Sequence, residues 1–212
     1  MDLIDAVTKK FLLFICRILF RVQYEGISNV PPKGSCIIVP NHVSYADPVW
    51  VSLPIKRRIR YMAWERLFRI PILGMLMRFY GAFPVNVDAV DVSARKSALD
   101  VIARGDALMV FPEGGRTKTG ELMDFRLGAF RLALNQGISI VPVSIIGARN
   151  IWPVGRLLPR PGRLRIIFHP LIPVGKIQDV TPRQELKVLA RELAEKTRDA
   201  ILNNKNDRSQ CN

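Results

Sequence analysis

His42 and Asp47, five positions apart, are the two residues in this chain best equipped to move a proton. A neutral imidazole backed by a carboxylate removes the proton of a hydroxyl, typically for a gain of about 10²–10⁴-fold in rate. The surrounding stretch is Asn41-His42-Val43-Ser44-Tyr45-Ala46-Asp47-Pro48, and His42 is one of only 2 histidines. Pro48 suits a first helical turn, so both side chains belong to the connection around a helix entry. That separation lets the carboxylate turn back onto one ring nitrogen while the other faces an acceptor hydroxyl. The plainer alternative is a histidine bonded in a turn, with Asp47 serving as a helix cap.

A second block follows some 70 residues later, Phe111-Pro112-Glu113-Gly114-Gly115-Arg116-Thr117. Its amides could form a concavity for an anion, with the Arg116 guanidinium as a fork for phosphate oxygens. Read alone, it is equally a tight turn with a solvated arginine. The turn lacks the lysine-serine/threonine ending of a P-loop, and the chain has neither G-x-G-x-x-G nor G-x-S-x-G. His42, Asp47 and Glu113 could ligate a metal, but no second histidine stands at ligand spacing. No metal and no cofactor are therefore expected. His169, before Pro170, reads as a strand-end residue, and Cys36 lies in an apolar run where an inert thiol is the default.

The two blocks, in this order and at this separation, resemble the glycerophospholipid acyltransferase family, the lysophosphatidic acid acyltransferases in particular. The resemblance covers residues 30–173. It implies that His42 is the base activating the acceptor hydroxyl and that Asp47 orients it. No covalent enzyme intermediate is implied. It further implies substrate binding by Glu113, Gly114, Gly115 and Arg116. Arg126 stands where the family usually has a lysine before a glycine, and Val141-Pro142-Val143 matches a late block that lines or supports the acyl site. One block departs from the pattern. Gly81-Ala82-Phe83-Pro84-Val85-Asn86-Val87 ordinarily ends in aspartate-arginine, the arginine contacting acceptor phosphate, and here Asn86 and Val87 stand in those places.

The activity so implied moves a fatty acyl group from acyl-CoA or acyl carrier protein to the free hydroxyl of a lysophospholipid. The foremost acceptor is 1-acyl-sn-glycerol 3-phosphate, and the product phosphatidic acid. Two alternatives stay open: acylation of glycerol 3-phosphate or of a lysolipid without a phosphomonoester, and a non-catalytic lipid-surface binding protein on the same fold.

The elements that must position these groups can be read from the pattern of apolar residues. Short strands are expected at 35–40, 60–64, 81–85, 107–111, 138–146 and 164–168. Helices are expected at 47–53, 71–80, 91–103, 125–135 and 181–202, and 147–162 reads as an irregular surface segment. Alternating strands and helices imply a single α/β domain around a mixed, largely parallel sheet, with both motifs at strand ends. The expected organisation is an N-terminal helix over residues 1–24, a domain over 25–203, and a disordered tail over 204–212.

Residues 11–20, FLLFICRILF, would rise only about 15 Å as a helix, half of a bilayer core. Lys10, Arg17 and Arg21 fall on one side of it. That pattern suits a helix lying in a membrane interface, or else one packed on its own domain. No cleavable signal pattern follows. The net charge of +14 and hydrophobic fraction of 49% point to anionic partners. Basic runs at 56–60 and 156–165 are either solvated faces or attractants for anionic lipid, CoA phosphates or acyl carrier protein. Few aromatics interleave with them, so nucleic acid is not an expected partner. The 3 cysteines lack C-x-x-C spacing and suit a reducing cytoplasm. Together these readings place the protein on the cytoplasmic face of a membrane, peripheral or monotopic.

Overall fold

Strands covered on both faces read as unbroken apolar runs, and β2 (Cys36–Pro40) is buried at every position. Ile37 and Val39 point to one face of the sheet, Cys36 and Ile38 to the other, so two cores form on opposite sides. The computed structural model describes residues 3–86, 92–117, 119–178 and 181–203, with side chains at Thr8 and from Lys10 onward.

The remaining strands are β1 (Gln23–Glu25), β3 (Ile59–Trp64), β4 (Ala82–Val85), β5 (Ala107–Met109), β6 (Ile140–Ile146) and β7 (Arg165–Phe168). Among the described residues they form one sheet in the order β1-β7-β6-β2-β5-β3-β4. All neighbours are parallel except the β6–β7 pair, which is antiparallel. The helices are α1 (Leu3–Phe20), α2 (Asp47–Ser52), α3 (Pro71–Phe79), α4 (Val92–Ala103), α5 (Gly128–Gln136), α6 (Ala148–Ile151) and α7 (Arg183–Asn203). The expected α/β class with a mixed, largely parallel sheet is what the chain adopts.

Crossovers between parallel strands are right-handed, which decides the side each helix takes. The steps β2→β3 and β3→β4 advance along the sheet, so α2 and α3 share one face. The steps β4→β5 and β5→β6 return, which puts α4 and α5 on the other. The packing agrees: Trp50 and Val51 of α2 join Ile38 and Met109, while Phe130 and Ala133 of α5 join Ile37, Val39 and α7.

Three local features differ from expectation, and a fourth matches one of two readings left open. Strand β1 is unexpected, because three residues with no buried side chain carry no periodic signal; α1 delivers it to the edge beside β7. The short helix α6 interrupts the segment read as irregular, begun by Gly147 at φ 89°. Helix α5 starts at Gly128 rather than 125, since the Arg126 amide is already bonded to the Pro112 carbonyl at 2.8 Å. Finally, α1 is no detached interface helix: Cys16 and Phe20 are buried in the main core, and the Phe20 ring meets Trp50 edge-on at 5.9 Å. The tail at 204–212 lies outside the described residues.

The basic run at 56–60 is a structural device. Arg57 donates to the carbonyls of Pro31, Gly34 and Gly105, each at 2.6 Å, tying together the entries to β2, β5 and β3. Arg60 pairs with Asp106 at 3.6 Å in the same region. This is the N-terminal edge of the parallel strands, away from the ends that carry His42 and Glu113. Arg57→Met should therefore cost on the order of 2–4 kcal/mol of stability, because three carbonyls lose a charged donor together. A thermal melt would register the loss, while activity per folded molecule should stay at the parent level.

Candidate active site

Strands β2 and β5 are parallel neighbours with Ile38 beside Met109, so the chains leaving them emerge at the same edge. Asn41 pins the end of β2 sideways: it receives the Ile145 amide at 2.7 Å and donates to the Ile145 carbonyl at 3.2 Å. The next residue is His42. Its Nδ1 lies 2.8 Å from Asp47 Oδ2, with the histidine side chain 18% exposed and the aspartate 0%. The same oxygen accepts the amides of Val43 at 2.7 Å and Ser44 at 2.8 Å. A carboxylate only accepts, so the bond assigns the ring proton to Nδ1 and leaves the Nε2 lone pair outward. The Phe111 ring stacks on the imidazole with centroids 4.0 Å apart, walling one of its faces.

The glycine turn is joined directly to this pair. The His42 amide donates to Glu113 Oε1 at 2.6 Å, and the Thr117 amide donates to the His42 carbonyl at 3.1 Å. The far oxygen of Glu113 accepts the Met123 amide at 2.9 Å, and Glu113 is only 3% exposed. Its carboxylate holds protein backbone on both sides and clamps the turn to the loop bearing His42. Gly114, at φ 71°, has the Arg126 side chain packed where a Cβ would stand, with Nε 2.4 Å from that point. Gly115 meets nothing there, leaving the turn open on that side.

Arg116 carries its guanidinium 4.0 Å over the ring of Tyr45, which lies on the same loop as His42 and Asp47. The arrangement therefore collects His42, Asp47, Glu113, Gly114, Gly115, Arg116 and Arg126 at one strand edge. Val141, Pro142 and Val143 are placed differently. They are buried in β6 opposite Ile38, Val39 and Pro40, where they brace the strand that bears the histidine. As buried strand residues they support rather than line an open site. Asn86 follows β4, and Val87 lies outside the described residues.

Several contributors carry no motif in the sequence. A cavity of about 280 Å³ is lined by Thr117, Arg149, Pro153 and Val154. Ser44 Oγ donates to the Trp152 carbonyl at 2.7 Å, and the Tyr45 and Trp152 rings lie 5.9 Å apart. The segment after β6 thus forms the wall facing the glycine turn. The signal available was that β6 runs parallel to β2, so the chain leaving β6 must emerge at the same edge. Part of the basic run at 156–165 is committed there: Arg160 donates to the Asn150 carbonyl, and Arg165 binds Glu25 at 2.5 and 3.0 Å.

His169 is buried against Ser144, with Nε2 2.8 Å from Oγ, and burial pushes the imidazole below its ordinary pKa. Cys36 is wholly buried, and burial pushes its thiol up, away from the reactive thiolate.

The sequence pattern of the acyltransferase family matches residues 21–146, more than half of the chain and both of the motifs just described. The chain belongs to the acyltransferase family. Its relatives include a chloroplast 1-acyl-sn-glycerol-3-phosphate acyltransferase of Arabidopsis thaliana, 29% identical over 79% of this chain and 50% of the relative. Another, from Borreliella burgdorferi, bears the same enzyme name and is 27% identical over 83% of this chain and 71% of its own length. The crystal structure of the 1-acyl-sn-glycerophosphate acyltransferase of Thermotoga maritima superposes with a TM-score of 0.65 at 25% identity, covering 91% of this chain and 80% of that one. The chain spans about half the length of the plant relatives it matches.

Proposed function

We propose that this acyltransferase-family protein moves a fatty acyl group from an acyl-CoA or acyl-carrier-protein thioester to the free hydroxyl of 1-acyl-sn-glycerol 3-phosphate, giving phosphatidic acid. The observation that carries the reading is the joining of the two motifs: the amide of the proposed base is held by the carboxylate of the glycine turn at 2.6 Å. In the proposed step, His42 Nε2 takes the hydroxyl proton as the oxygen forms its bond to the thioester carbonyl carbon. The carbonyl electron pair returns, the carbon–sulfur bond breaks, and the thiolate leaves with the proton that His42 gives back. Amides of the glycine turn would serve the transient oxyanion. Arg116 and Arg126 supply positive charge for the acceptor phosphate, and Arg149 in the adjoining cavity adds a third guanidinium.

Among the described residues, no helix is long and apolar enough to cross a membrane. Phe11 and Phe14 of α1 are each 62% exposed, which supports the proposed attachment of this helix to the surface of a lipid bilayer.

A panel of defined acceptors with each donor, read by mass spectrometry, tests the assignment. The expected order is 1-acyl-sn-glycerol 3-phosphate first, with glycerol 3-phosphate and phosphocholine lysolipids at least about tenfold lower in kcat/KM. Because Val87 stands where the related pattern has arginine, preference for a lysolipid lacking the phosphomonoester would transfer the assignment to that acceptor. Turnover of no thioester with any acceptor would leave only lipid binding.

A further inference from the structure

Exposed large apolar side chains are distributed unequally over the two helix layers. On the layer opposite the membrane-associating helix, α7 presents Arg183, Glu185, Lys187, Arg191, Glu192, Glu195 and Lys196 to solvent. On the near layer, α3 does the reverse. Its Ile72, Met75 and Phe79 are 78%, 67% and 64% exposed, and Leu73 and Leu76 are exposed as well. These positions are three and four residues apart, one continuous stripe of the helix. Only Gly74 of α3 is buried, and its Cβ position lies 2.4 Å from the Phe68 carbonyl oxygen. The helix therefore rests on the preceding 3-10 turn (Glu65–Arg69) through its one glycine and turns its apolar side outward.

A basic rim surrounds this stripe. Arg66, Arg69 and Arg78 are all exposed, and Arg66 and Arg78 lie over the rings of Trp64 and Phe68 at 4.9 and 5.1 Å. Guanidinium groups flanking an apolar stripe match lipid phosphates above acyl chains. They do not match a second copy of this chain, which would set arginine rim against arginine rim on molecules of charge +14.

We infer that α3 is a second membrane-docking element, inserting Ile72, Met75 and Phe79 into an anionic bilayer alongside α1. The inference rests on the membrane-surface reading above and extends it from one helix to a helix layer. Between the two anchors lies α2, which begins with Asp47 and exposes Tyr45 and Val49 near its N-terminus. Two anchors on either side of α2 would fix the orientation of the molecule as well as its attachment. The loop bearing His42 would then open toward the surface from which a lysolipid must be drawn.

The test is flotation of the full chain with phosphatidylcholine vesicles, with and without about one-quarter phosphatidylglycerol. The parent is compared with the triple variant Ile72→Ser/Met75→Ser/Phe79→Ser. Because the three side chains are exposed, melting temperature and circular dichroism should be unchanged. Partitioning onto anionic vesicles should fall by about tenfold or more. Transfer measured with detergent-dispersed substrates should be unaffected, since none of the three residues belongs to the site. Binding within about twofold of the parent would overturn the inference, given the apolar area removed. So would a lipid-free parent dimer that the variant dissociates without change in vesicle binding. Absence of acyl transfer by the parent in detergent would count against the proposed reaction, and the vesicle comparison would stand independently of it.

Discussion

His42→Ala should lower kcat for acyl transfer by about 10²–10⁴-fold while leaving the protein folded. The kinetic effect arises from geometry: Nδ1 is engaged by Asp47 at 2.8 Å, so Nε2 is the ring nitrogen open to an acceptor hydroxyl. The structural effect is small for an equally local reason. Asp47 Oδ2 keeps its bonds from the Val43 and Ser44 amides when the imidazole is removed. The turn therefore loses one hydrogen bond of three at that oxygen, on the order of 1 kcal/mol. Loss of the ring also frees one face of Phe111, which stacks on it. Single-turnover measurements with a defined thioester and lysolipid, set beside a thermal melt, separate the two quantities. A folded variant within about tenfold of the parent rate would remove the imidazole from the chemistry.

How much of the site is legible in the sequence depends on the range of each interaction. His42 and Asp47 are legible because the carboxylate and the ring are five residues apart, within the reach of one turn. The strand ends that carry the two motifs are legible too, since an apolar run closed by polar and glycine residues marks both. Glu113 is less legible as a clamp between the two loops. Its partner is an amide 71 positions away, and nothing in a turn sequence distinguishes a carboxylate facing substrate from one facing backbone. Arg57 is hidden in the same way, for its three carbonyl partners come from separate loops. The apolar face of α3 presents the complementary case. Periodicity identifies a stripe but is silent on what covers it, and only its placement beyond the core exposes it as an outward surface. Cys16 and Phe20 reverse that lesson, since part of a helix suited to an interface is drawn into the protein's own core.

Glu113 provides the second large effect, and its kinetic form distinguishes clamping from binding. In Glu113→Gln one of the two terminal atoms becomes an NH₂ group facing an amide that also donates. Either the bond to the His42 amide or that to the Met123 amide must open. A buried donor then lacks its partner, at a cost on the order of 1–3 kcal/mol, and the loop bearing the base shifts relative to the glycine turn. A displacement of about 1 Å at such a group is enough for a loss of about 10²-fold in rate. The expected result is a fall in kcat of about 10–10²-fold with KM changed less than about threefold, because the arginines that would hold the acceptor remain. If Glu113 instead touched substrate, KM would rise and kcat would change little. The distinction matters for how the fold makes its site: parallel strands bring the two loops to one edge, but adjacency alone does not fix a base to a fraction of an ångström. Here that precision is assigned to one buried carboxylate bridging the loops, so proton transfer should depend on a residue that never meets the proton.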